Sequence, residues 1–105
     1  MDRCLIMTWS YTYDKESTWF DYDSGEEQYE LKEGASYPLP HIREKSLEIH
    51  SLTAEGDLIK AEIFVDSATY TVLSDGEPVK ACANDSYSVA GDSVWKTLDL
   101  TLAIR

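Results

Sequence analysis

Residues 47–83, LEIHSLTAEGDLIKAEIFVDSATYTVLSDGEPVKACA, alternate apolar and polar positions between turns of readable type, and the phase of that alternation decides the fold. Asp75-Gly76 carries the strongest hairpin signal, because a type I′ turn needs positive φ at both central residues and Asp and Gly supply it at least cost. It predicts Val72 opposite Val79 and Tyr70 opposite Ala81. A second two-residue turn at Asp66-Ser67 predicts Val65 opposite Ala68, Ile63 opposite Tyr70 and Ala61 opposite Val72. Ahead of these, Ala54-Glu55-Gly56 fits a three-residue hairpin with Gly in the left-handed position, which sets Ile49 against Ala61 and Leu47 against Ile63. All three turns keep one apolar face, and a slip of one residue would throw every apolar side chain to the other side. The stretch therefore reads as a four-stranded antiparallel meander.

Outward from the meander, the same period of two recurs. Leu5, Met7, Trp9, Tyr11 and Tyr13 alternate with Thr8, Ser10 and Thr12, the pattern of a half-buried strand. A loop over residues 14–17 then predicts Tyr11 facing Phe20 and Trp9 facing Tyr22. Ser24-Gly25 reads as a further turn into a strand over 26–32 that would bring Phe20 to Tyr29, at the cost of setting Asp23 against Glu26. Pro38 and Pro40 flank Leu39 in a segment that cannot be a central strand, so residues 34–45 read as a crossing connection that packs Tyr37, Leu39 and Ile42 over an open end of the core. Residues 84–91 read as a short strand or loop, with a turn at Ala90-Gly91-Asp92. In the last strand Val94, Leu98, Leu100, Leu102 and Ile104 share one face with Lys96, and a strand so apolar on one side belongs inside a sheet, paired with the first strand.

No stretch repeats its apolar residues at 3.6. With eight or nine short strands and little helix, the chain is expected to be an all-β antiparallel sandwich, with a flattened barrel as the alternative. At 105 residues, with 43% hydrophobic content and no linker or repeat, it is expected to form one domain over its whole length.

Charge narrows the function. Asp and Glu number 20 against 9 Lys and Arg, a formal charge of -11, which repels nucleic acid and anionic membrane and favours basic partners or simple solubility. Neither a signal-length nor a transmembrane-length apolar run is present, so reading from Met1 implies a cytoplasmic protein. Cys4 and Cys82 make no disulfide framework and read as free thiols.

Four constellations compete for chemistry. Leu52, Leu58, Phe64 and Leu73 fall on the outer phase of the meander, either beneath a covering segment or as a contact for another protein. Trp19 and Trp95 fall on the polar phase beside Asp21 and Asp99, an arrangement that holds a sugar ring between indole face and carboxylates or, more simply, covers a sheet edge. Asp21, Asp23, Glu26 and Glu27 form either a weak cation site or a solvated acidic turn, without the flanking helices of an EF-hand. His41 and His50 have no metal-ligand spacing, and His50 is expected to face solvent opposite Lys60. No nucleophile elbow or phosphate loop occurs, no cofactor is implied, and an enzyme is not expected. The leading expectation is a non-catalytic acidic interaction module for a basic protein partner, of which an inhibitor or immunity-type protein is one form. A carbohydrate- or small-ligand-binding sandwich and a structural subunit of a phage or surface assembly are the alternatives.

Overall fold

The structure, a computed structural model, describes residues 3–15 and 18–105, with the backbone alone for residues 18–22 and 89. It is all β, with eight strands: β1 (Cys4–Lys15), β2 (Thr18–Glu30), β3 (Ser36–Pro38), β4 (Ser46–Glu55), β5 (Leu58–Val65), β6 (Ala68–Leu73), β7 (Val79–Val89) and β8 (Asp92–Ile104). They form two antiparallel four-stranded sheets in the orders β2-β1-β8-β7 and β3-β4-β5-β6, packed face to face as a sandwich.

The Asp66-Ser67 turn keeps its expected register, with Val65 opposite Ala68, Ile63 opposite Tyr70 and Ala61 opposite Val72. Asp66 supplies the left-handed residue, φ 60°. Two other parts of the meander differ from expectation. The β4–β5 turn is Gly56-Asp57, two residues closed by Glu55 and Leu58, so Leu52 lies opposite Ala61. That phase alone would turn Ile49 outward, and a bulge between Ile49 and Ser51 restores it, pairing Ile49 with Ile63 and Leu47 with Val65. Asp75-Gly76 makes no hairpin at all. Ser74 stays with β5, its N–H donating to Ile59 O (2.9 Å) and its hydroxyl accepting from Ile59 N–H (2.8 Å), and the chain then crosses to the other sheet. There Val79 pairs with Leu102 and Ala81 with Leu100. Pairing with β8 engages all 11 residues of β7, whereas β6 has only 6 to offer, so the longer ladder wins.

The first half also differs in register. β1 and β2 are joined through residues 16–17, with Lys15 opposite Thr18 and Tyr13 opposite Phe20; a bulge at Tyr11/Thr12 then sets Tyr11 opposite Asp23 and Trp9 opposite Gly25. β2 runs unbroken through Ser24-Gly25, where a turn was expected, and the anticipated clash of Asp23 with Glu26 does not arise. Residues 84–89 extend β7, and the turn that follows is Ala90-Gly91, both at positive φ (51° and 87°). As expected, β8 is central and closes on β1: Leu5 faces Ile104, and Cys4 and Arg105 exchange backbone hydrogen bonds of 2.7 and 3.0 Å.

The core lies between the sheets. Leu5, Met7, Trp9 and Tyr11 of β1 with Leu98, Leu100, Leu102 and Ile104 of β8 meet Leu47, Ile49, Ala61, Ile63, Val65 and Val72 of the other sheet. Leu39 and Ile42 of the connection join the same core at one end, as the Pro-flanked segment predicts. A polar clamp holds that end: Lys45 Nζ donates to Asp66 Oδ1 (2.7 Å) and to Asn84 O (2.6 Å), while Asn84 N–H donates to Asp66 Oδ2 (3.2 Å). Among the described residues no helix is long and apolar enough to cross a membrane.

Candidate docking surface

Strand alternation turns Leu58, Lys60, Glu62 and Phe64 of β5 and Thr69, Thr71 and Leu73 of β6 to the outer face. Leu58 and Leu73 are 50% and 43% exposed, an uncommon state for leucine that the register brings about by placing Leu73 against Lys60, one outward step from Leu58. Together with Thr53, Glu55, Lys60 and Asp75 they line an open groove of about 480 Å³. The turns that flank it add the exposed carboxylates of Asp57 and Glu77. The groove thus has an apolar floor, with one cation, Lys60, among mostly acidic charged neighbours.

The other two residues of the expected patch do not line the groove. Leu52 faces inward because the Gly56-Asp57 turn places it opposite Ala61, and it packs half-buried against the core. Phe64 does face outward, but His50 lies stacked on it, ring centroids 5.2 Å apart and 7° from parallel, with His50 Nε2 3.2 Å from Glu48 Oε2. His50 is exposed as expected, yet it occupies the β4 bulge and is not opposite Lys60, which pairs with Thr53. The connection over residues 34–45 closes the end of the core and leaves the Leu58–Leu73 groove open.

On the other sheet, Trp95 is 56% exposed. Its cross-strand neighbour is Asp14, which also stands opposite Trp19, so one row across the sheet carries both tryptophans about Asp14. The side chains of Trp19 and Asp21 lie outside the described residues. Asp14 Oδ1 is buried and has no hydrogen-bond partner among the described residues. Asp99 shares the face of Trp95 but stands four residues along β8, roughly 13 Å away, with Thr97 between them.

Of the four acidic residues, Asp21 has its side chain outside the described residues, and the other three are spread along β2. As a strand instead of a turn, the stretch places Asp23 and Glu27 opposite the inward-facing Tyr11 and Met7, and Glu26 opposite the outward Thr8. Among the described residues no group of three or more His, Cys, Asp or Glu side chains could hold a metal. Asp23 has a different partner, His41 Nε2 at 3.1 Å. The His41 ring stacks on Tyr11 (4.6 Å, 16°) and lies 5.2 Å from that of Trp9, with its backbone at φ 61°. This cluster pins the connection to β1 and β2, and sequence reasoning missed it. Pro40-His41 signals a tight turn, but nothing local to it names a carboxylate 18 residues earlier.

Comparisons with family models, with curated proteins and with solved structures found no match.

Proposed function

We propose that the protein is a non-catalytic interaction module that docks a basic protein partner on the Leu58–Leu73 groove. The observation that carries this reading is the pairing of two exposed leucines in one groove, rimmed by Glu55 and Asp75, on a chain of net charge -11. Apolar contact would supply residence time, and the acidic rim and overall field would speed encounter. The carbohydrate reading retains one observation in its favour, the exposed Trp95 in register with Asp14.

The test uses a heptapeptide alternating Lys and Val, and a control in which Ser replaces Val. Each is titrated against the protein at about 0.01 M and about 1 M salt, where the Debye length is ~30 Å and ~3 Å. The Val peptide should bind more tightly than the control, and salt should slow its association more than it speeds dissociation. Leu58→Ser/Leu73→Ser should reduce binding to the level of the control. Equal affinity for both peptides would show simple charge attraction and sink the reading. A soluble polysaccharide added in place of peptide should leave the fluorescence of Trp95 unchanged; a response lost in Trp95→Phe would move the site to the other sheet.

A further inference from the structure

The sandwich has four sheet edges, and three are defended in recognisable ways. On β7, Asn84 spends its N–H on Asp66 and its carbonyl on Lys45, and Ser86 N–H donates to Asp85 Oδ1 (2.8 Å). On β2, Glu26 and Glu30 line the edge, Glu30 O accepts from the Tyr37 hydroxyl (2.7 Å), and Ser24 N–H donates to Asp23 Oδ1 (2.9 Å). β3 is three residues long and ends in Pro38. β6 has none of these devices. Its sequence, ATYTVL, holds no charge and no proline, and Thr69, Thr71 and Val72 are β-branched.

The hydrogen-bonding phase of β6 follows from Ser74, whose backbone N–H donates across the ladder to Ile59 O while its hydroxyl accepts from Ile59 N–H. Counting back by twos, Val72, Tyr70 and Ala68 bond to β5, and Thr69, Thr71 and Leu73 turn their backbone groups to the free edge. Leu73 O is taken by Gly76 N–H (3.2 Å). The N–H groups of all three residues and the carbonyls of Thr69 and Thr71 have no partner among the described residues. The side chains of these same residues are exposed on the face that carries the groove.

We infer that β6 accepts an added strand, and that the occupant is an extended basic segment of the partner, its main chain paired to Thr69, Thr71 and Leu73 and its apolar side chains beside Leu73 and Leu58. This inference rests on the docking reading above and adds how the partner is held. Charge selects the occupant. Asp75 and Glu77 stand at one end of β6 and Glu62 beside it, opposite Thr71, so that these carboxylates outnumber the one cation, Lys60, opposite Leu73. A second copy would bring a further charge of -11. A basic strand meets the opposite sign.

The experiment is amide hydrogen exchange on the whole protein, with and without saturating Lys-Val heptapeptide. The amides of Thr69, Thr71 and Leu73 should exchange at least about tenfold more slowly when the peptide is bound. A peptide N-methylated at alternate residues, so that one edge lacks donors, should bind about tenfold more weakly, and Thr71→Pro should weaken the unmodified peptide similarly, because it removes an outward N–H and no bond to β5. Thr71→Val, which keeps the backbone, should bind normally. Should Thr71→Pro fail to fold, the N-methylated peptide still decides. If Leu58→Ser/Leu73→Ser abolishes binding while Thr71→Pro and the N-methylated peptide behave as the originals and the edge amides stay unprotected, docking survives and strand addition is overturned. Protection that grows with protein concentration alone assigns the edge to a second copy and also overturns the proposal. A heptapeptide that does not bind overturns both.

Discussion

At Gly25 the absence of one side chain decides a register. Serine followed by glycine between acidic residues signals a turn, and the same pair signals a strand position that another side chain must approach closely. What separates the two meanings is the residue across the ladder, which the local sequence does not name. Here it is Trp9, and a Cβ on Gly25 would come 2.8 Å from Trp9 Cζ2 and 3.0 Å from Cε2. Gly25 is not at positive φ, so the constraint is packing and not backbone strain. The indole is 8% exposed, with the His41 ring 5.2 Å away, and cannot swing clear at no cost. Gly25→Ala should therefore destabilise the fold by about 1–3 kcal/mol in urea unfolding, as overpacking does. The same change in a Trp9→Phe background should cost distinctly less, since the smaller ring vacates the contested space. Equal costs in both backgrounds would mean that Trp9 is not what excludes the methyl group.

Among elements, the turns were more legible than their destinations. Asp66-Ser67 reads correctly because a two-residue loop and an apolar phase agree on a single register, and the structure uses it. At Asp75-Gly76 the local chemistry is turn-like too, but whether β7 returns to β6 or crosses the sandwich depends on β8, a partner some twenty residues further on. The β4 bulge is hidden for a related reason: two errors of phase, the shorter turn and the extra residue, cancel over Leu47 and Ile49 and leave the inward pattern unchanged. Leu52 lies between those two irregularities, so its face was misread and the expected four-residue patch shrank to Leu58 and Leu73. The Asp66 turn also does electrostatic work. The hydrogen bond from Lys45 holds the Asp66 carboxyl below its usual range, against a smaller opposing effect of burial and with help from Asn84 N–H. A folded pKa lowered in this way contributes stability above the unfolded value of about 3.9, lost as pH falls through the folded value. Asp66→Asn keeps a residue that tolerates φ 60°, so it should be less stable than the parent at neutral pH. The gap should begin to narrow as pH falls below the unfolded value of about 3.9 and close once pH has passed the lowered folded value, where both side chains are uncharged. Urea unfolding of the two proteins at neutral and acid pH measures this, and a gap that does not change with pH would remove the clamp from the account.

At the scale of the whole molecule, the two sheets are unequal and the shape follows. The long strands β1, β2, β7 and β8 have 11–13 residues, whereas β5 and β6 have 8 and 6. The radius of gyration is 15.3 Å, against about 13 Å for a compact chain of this length, and the extents are 54 × 21 × 17 Å. The closure of β8 on β1 was legible, because Leu98 to Ile104 alternate too cleanly for an edge and the first strand matches them. The overhang was not, because a strand's apolar pattern continues past the point where the opposite sheet ends. Val94 shares the inward phase of Leu98 and Leu100 and is only 6% exposed, yet it lies outside the core common to both sheets. Burial alone would rank Val94 and Leu100 together; position in the sandwich separates them. Leu100→Ala opens a cavity walled by both sheets, which cannot collapse easily, and should cost about 2–5 kcal/mol. That is a large share of the ~5–15 kcal/mol available to a domain of this kind. Val94→Ala removes fewer carbons, at a position outside the core cluster shared by the two sheets, and should cost below about 2 kcal/mol. Chemical denaturation of both variants gives the comparison directly. A Leu100→Ala cost under about 1 kcal/mol would place that face at solvent. A Val94→Ala cost equal to it would mean that the overhang is packed as tightly as the sandwich.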